Sequence, residues 1–259
     1  TATQWATLLA RITSAANHQG TSITAITSPT AGDTISAYAA LATNVAAIQG
    51  NNNAAASGSD ATATTTTTSA WTATATTSKT VTFASANQLR YFFNAGGMIR
   101  MGLSRTGGTA SDQNTSWTNL LAQAGTIVLT GSGNPGFTKT IAGVTYTGTT
   151  RIGGSGTPDT LAEGIGAYNL TGTNQTLYKQ FATTYTYTSN YTQIQASISG
   201  NVITFTVTLA DVSGPNVPGG LDSIDGTLTM TTTIRQPSTT YIASTWGSVT
   251  QNAASWTLT

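Results

Sequence analysis

Residues 202–209 alternate without a break: Val202, Thr204, Thr206 and Thr208 fall at even positions, and Ile203, Phe205, Val207 and Leu209 at odd ones. A period of two is the repeat of a half-buried strand, with hydroxyls toward water and bulky apolar side chains toward a core. Ser199-Gly200-Asn201 lies just ahead, after a second strand-like run at Thr192–Ile198, and is a hairpin signal. Further runs at Thr80–Phe83, Arg90–Phe93, Met98–Ser104, Thr126–Leu129, Val144–Thr147 and Gly226–Ile234 are separated by Gly, Asn and Pro. Many short strands joined by such turns predict a mainly β fold, an antiparallel β-sandwich or jelly-roll-like domain. One helical interruption is expected at Ser116–Ala124, where Trp117, Leu120 and Leu121 share a face.

The composition fits a sheet protein of an unusual kind. More than one residue in five is Thr, whereas Asp, Glu, Lys and Arg together make only 7% of the chain, against about 25% in ordinary globular proteins. Thr is β-branched and suits strands, and its hydroxyl keeps an outward face wet. Such a surface holds little to titrate or screen. It lets identical subunits pack without like-charge repulsion and suits work outside a cell. The net charge of +1 gives no electrostatic basis for binding nucleic acid or an acidic membrane. Without Cys there is neither a disulfide framework nor a thiolate metal site. No apolar run approaches the ~20 residues a membrane span needs. The sequence starts at Thr1 without a basic, apolar leader, as expected of a product made in the cytoplasm.

Residues 1–56 read as a helical assembly segment. Trp5, Leu8, Leu9 and Ile12 share one helical face before Asn17–Gly20 breaks the pattern. A second helix is expected from near Asp33, with Tyr38, Leu41, Val45 and Ile48 spaced 3, 4 and 3 apart as an oligomerisation seam. So thin a stripe cannot stabilise an isolated helix. It is expected to pack against copies of itself, giving a homo-oligomer and most simply a trimer, or against the first helix as a hairpin. Residues 57–79, with Thr64–Thr68 at their centre, read as a low-complexity Thr/Asn-type linker. Residues 80–259 form the expected β domain.

Chemistry-bearing residues are scarce, and no catalytic residue, metal ligand or cofactor is expected. The single His18, in Asn17-His18-Gln19-Gly20, has no partners for a triad or a His-based metal site and reads as a turn or interface residue. Asp159 and Glu163 are the nearest thing to a glycosidase pair, but Gly and Pro around them indicate an exposed loop. Asp211, Asp222 and Asp225 could gather oxygens around a hard cation such as calcium, although their spacing is not that of an EF-hand and a turn explains it. Arg151-Ile152-Gly153-Gly154-Ser155-Gly156 lacks the Lys-Ser/Thr of a phosphate loop. Asn114, Asn169, Asn174 and Asn190 stand in glycosylation-type sequons of the kind a Thr-rich chain makes by chance. Tyr185, Tyr187 and Tyr191 form a cluster that can stack on sugar rings or pack across a sheet.

Two stretches carry a resemblance. Val81-Thr82-Phe83, Asn87-Gln88, then Arg90-Tyr91-Phe92-Phe93-Asn94-Ala95-Gly96-Gly97 and Ile99-Arg100 resemble a recurring segment of tailed-bacteriophage virion proteins. As in that family, Ser104-Arg105-Thr106-Gly107-Gly108, Gln113-Asn114 and Trp117-Thr118-Asn119-Leu120-Leu121 follow. Asn17-His18-Gln19-Gly20-Thr21 with Ser28-Pro29-Thr30-Ala31-Gly32 is similar to the helical head of the same proteins, and Gly226–Met230 leading to Pro237–Tyr241 also fits. The resemblance implies a non-enzymatic tail, neck or fibre component on the virion exterior. Its implied partners are copies of itself and other virion proteins, and it supplies no site residues. The alternative expectation is a carbohydrate-binding adhesin contacting a host-surface glycan through Tyr185, Tyr187 and Tyr191.

Overall fold

The computed structural model describes residues 1–33, 37–52, 54–133, 138–141, 143–214, 222–240 and 246–259. Two helices open the chain, α1 (Ala2–Gln19) and α2 (Tyr38–Gly50). The remainder is mainly antiparallel sheet. Five strands form one sheet in the order β2 (Ser57–Thr67), β13 (Thr227–Pro237), β4 (Met98–Thr106), β5 (Thr126–Leu129) and β8 (Thr149–Ile152). Seven form the other: β14 (Thr250–Gln251) and β15 (Trp256–Leu258) both pair with β3 (Thr74–Thr82), followed by β12 (Val202–Ala210), β11 (Tyr191–Ser199), β10 (Gln175–Phe181) and β9 (Thr160–Leu161). A small third sheet joins β1 (Ala54–Ala55), β6 (Lys139–Ile141) and β7 (Val144–Tyr146). Among the described residues no sheet closes into a barrel.

The alternation of residues 202–209 is realised as expected. Ile203, Phe205, Val207 and Leu209 are buried, and Thr204, Thr206 and Thr208 are half-buried on the opposite face. Ser199 pairs with Val202 across the predicted hairpin. β13 repeats the pattern with Leu228, Met230 and Ile234 inward. These inward side chains of the two sheets belong to one contiguous core. Between the sheets lies α4 (Asp112–Ala124), which touches β4 on one side and β10 and β11 on the other. Ser111 caps it by accepting from Asn114 N at 3.1 Å, so it begins four residues before the stretch expected from its apolar face.

The Arg90–Phe93 strand is not formed. These residues belong to helix α3 (Ala86–Asn94), capped by Ser85, whose hydroxyl accepts from Gln88 N at 3.2 Å. Leu89, Phe92 and Phe93 are buried at helical spacing i, i+3 and i+4, and Tyr91 points outward. Four residues of apparent alternation were too short a window to outweigh the cap and the wider period. Phe83, Phe92 and Phe93 then meet with ring centroids 5.0–5.9 Å apart, and Trp246 packs on Phe92 at 6.0 Å.

Residues 57–79 also depart from expectation, because they hold β2 and two thirds of β3 instead of a linker. β2 pairs with β13 from Leu228↔Thr67 to Arg235↔Asp60. Its inward positions are Ala61, Ala63 and Thr65, too small to reveal a core pattern in sequence. The bulk comes from elsewhere: Trp256 of β15 donates its indole N–H to Thr65 O at 3.1 Å, tying the edges of the two sheets together. The helical segment joins the β body through β1, which pairs in parallel with β6, and through Ala56 N, which donates to His18 O at 2.7 Å. A second helix was expected from near Asp33; residues 34–36 lie outside the described residues, and α2 is described from Tyr38.

Candidate functional site

The helical segment is built almost without charge, with Arg11 and Asp33 the only Asp, Glu, Lys or Arg residues among positions 1–50. α1 is fixed by a capping box in which Thr1 and Gln4 satisfy each other's end groups. α2 is held by Asn44, which is buried and pairs with both backbone groups of Thr24: Thr24 N donates to its Oδ1 at 2.9 Å and its Nδ2 donates to Thr24 O at 2.8 Å. Ile12, Ile23 and Ile26 line the hollow beside it. α1 and α2 therefore do pack on each other, and the intramolecular alternative for the second helix is partly realised.

This pairing does not consume the seam. Leu41 and Ile48 are half-buried, whereas Tyr38 is 75% exposed and Val45 37%. Leu8 of α1 is also exposed, and with Trp5, Pro29 and Ala31 it borders an open hollow. His18 lies in the last turn of α1 instead of beyond it. Burial lowers its pKa from the usual imidazole value, and the nearby Lys139 ammonium adds to that.

The structure does not bring the three tyrosines onto one exposed face. Tyr185 is 91% exposed, Tyr187 is buried, and Tyr191 is half-buried. Tyr191 instead pairs across the sheet with Phe181, ring centroids 5.6 Å apart, and the Lys179 ammonium lies 4.3 Å and 4.5 Å from the two rings. Cross-strand packing accounts for Tyr191. Thr186, beside Tyr185, has φ 80°, a backbone region rarely occupied by β-branched residues.

The three aspartates separate into two clusters on consecutive residues of α4. Asp225 accepts from Thr109 Oγ1 at 2.7 Å, from Asn114 Nδ2 at 2.5 Å and from Arg105 Nη2 at 3.3 Å. These contacts, the Thr109 hydroxyl foremost, hold its pKa below the ordinary carboxylate range. Arg105 is an inward-facing residue of β4 with a side chain 4% exposed, also bound to Asn114 O and Thr118 Oγ1. Asp211 and Asp222 meet one residue earlier on the helix, where Gln113 Nε2 donates to both at 2.5 Å and 2.8 Å. Asn190 also donates to Asp211, and its Oδ1 accepts from Val212 N and Ser213 N. Burial and then the neighbouring Asp222 charge push the Asp211 pKa up to about 7. Among the described residues no three acidic or His groups come together as a metal site.

The remaining sequence candidates are structural or exposed. Arg151 donates to Ser155 O and Gly156 O at 3.3 Å and 2.9 Å and thus closes its own glycine-rich loop. Asp159 and Glu163 are exposed, Asn114 and Asn190 are buried amides, and Asn169 and Asn174 lie at the surface. Gln113, Arg105 and Lys79 were not singled out from sequence. Lys79 is an inward-facing β3 residue that donates to Asn252 O at 2.5 Å, and burial lowers its pKa. Gln113 and Arg105 stood only within the segments that carry the resemblance, with no site role given to them. Comparison with known proteins finds no matching family model, no matching characterised protein and no matching solved structure.

Proposed function

We propose that this chain is a non-enzymatic structural subunit of a tailed-phage virion, in the tail, neck or a fibre. It joins copies of itself, most simply as a trimer, through the helices of residues 1–50 and displays a sandwich-like β body on the particle exterior. The observation that carries this reading is the apolar surface left on a nearly uncharged helical pair: Tyr38, Val45 and Leu8 stay exposed after α1 and α2 have packed together. The β body supports it with an outer face suited to close packing. On the five-stranded sheet Thr66, Thr64 and Thr62 stand opposite Thr229, Thr231 and Thr233, with the Oγ1 atoms of Thr62 and Thr233 3.0 Å apart. Hydroxyl grids of this kind present no like-charge barrier to a neighbouring subunit.

Sequence resemblance gives the virion context, and location in the particle is its test. Antibody against the β body should decorate one defined tail, neck or fibre position in electron micrographs of intact particles. Particles that carry no copy of the chain would end this reading. A second reading, a glycan-binding adhesin, is favoured by Tyr185, which is exposed beside Thr186 in the loop that joins Phe181 of β10 to Tyr191 of β11. Binding on a glycan array that is lost in Tyr185→Ala would select it.

A further inference from the structure

We infer that Asp211 holds a proton that bonds it to Asp222, and that this contact ties the two sides of the β12–β13 connection to the first turn of α4. Asp211 follows β12 of the seven-stranded sheet, and Asp222 precedes β13 of the five-stranded sheet. Asp211 is thus the first residue of the segment that carries the chain from one sheet to the other, and Asp222 lies five residues before β13 begins. Both carboxylates reach the same nitrogen, Gln113 Nε2, which places their oxygens beside each other. Two anions so close and partly withdrawn from water cannot both stay charged without a compensating cation.

Among the described residues no cation acts on Asp211. Residues 212–221 contain no Lys, Arg, His, Asp or Glu. The groups facing Asp211 from β11's approach and from α4 are the neutral amides Asn190 and Gln113. Arg105, on the adjoining β4, is engaged by Asp225 and by two oxygens of α4. Asp222 is the one charged side chain that acts on Asp211, and it raises the Asp211 pKa together with burial. A proton between the two carboxyls turns the repulsion into a hydrogen bond and leaves the amide donations intact.

The direction of the effect follows from linkage. Between an ordinary carboxylate pKa of about 4 and the folded value of about 7, the folded chain holds a proton that the unfolded chain has released. Stability from the clasp is present at the acid end of that window and is lost as pH rises through about 7.

The test compares the full-length protein with Asp222→Asn, whose amide is a permanent donor to Asp211. Thermal unfolding of each is followed from about pH 5 to 8.5, and the difference between the two curves cancels His18 and every other shared group. The wild-type melting temperature should fall relative to the variant by several degrees as pH rises to about 7 and then level off. Infrared spectra should show one protonated carboxyl band in the wild type near pH 5.5. That band should vanish by about pH 8.5, and in the variant it should be lost at a lower pH than in the wild type. Parallel melting curves for the two proteins would overturn the proposal. So would recovery of the wild-type melting temperature at high pH on adding calcium, because a cation would then be the natural partner of the pair.

Discussion

The α-carbon of Gly97 sits on the ring of Phe92: a β-carbon there would lie 2.5 Å from Cε1, and Gly97 N donates to Phe92 O at 2.9 Å. Gly96, at φ 95°, faces the Ala55 methyl in the same way. The Phe-Phe-Asn-Ala-Gly-Gly block is therefore a helix-to-strand corner. Its aromatics fill the core between the sheets, and its glycines let α3 turn back over its own side chain into β4.

Substitutions in that corner should divide sharply by side. Phe92→Ala and Phe93→Ala remove fully buried rings, and each should cost about 3–5 kcal/mol of the roughly 5–15 kcal/mol a domain has. Gly97→Ala should also destabilise, since the Phe92 ring must move. Tyr91→Ala, at a 49% exposed position, should stay within about 0.5 kcal/mol. Denaturant unfolding of the four variants checks this. A wild-type midpoint for either Phe variant would refute the packing described.

How much of this was legible in the sequence depended on residue size. β12 and β13 were readable because their inward positions are Phe, Leu, Ile, Val and Met. β2 was not, because Ala61, Ala63 and Thr65 face inward and borrow their bulk from Trp256. α3 was missed through a four-residue window, although Ser85 and Gln88 gave a cap signal. The aspartates were noticed, but their division between Gln113 and Asn114 was not, because it depends on α4 lying between segments more than 95 residues apart in sequence. The tyrosine cluster failed because Tyr187 turns inward within a loop.

The two ion pairs of the β body should differ in weight. Asp225→Ala strands the buried Arg105 guanidinium and should cost about 3–5 kcal/mol. Asp60→Ala breaks the Arg235–Asp60 pair, whose side chains are 25% and 40% exposed, and should cost less than about 1 kcal/mol. Because the Asp225 pKa is lowered in the folded chain, its contribution is held above the ordinary carboxylate range and disappears as pH falls through the folded value. Melting curves from about pH 2 to 6 should show an acid limb that Asp225→Asn flattens. Equal losses for Asp225→Ala and Asp60→Ala would contradict the burial argument.

His18 should act in the opposite sense to Asp211. Its folded pKa is lowered, so the unfolded chain takes up the proton first. The helical segment should therefore weaken as pH drops below about 6.5. Hydrogen-exchange protection at the Ala56 amide, bonded to His18 O, taken relative to the intrinsic rate at each pH, should fall in that range for the wild type and not for His18→Gln. His18→Ala should leave the β body folded. Unchanged protection across the same range in the wild type would show that His18 is not linked to folding.

Assembly through the helices is the centre of this account, and light scattering of the full-length chain at micromolar concentration measures it directly. The expected mass is a small multiple of the 26.4 kDa of one chain, most simply three copies, reduced toward one copy by charge at the exposed seam in Tyr38→Asp or Val45→Asp. A sharp single-chain mass for the wild type across that concentration range would contradict the account.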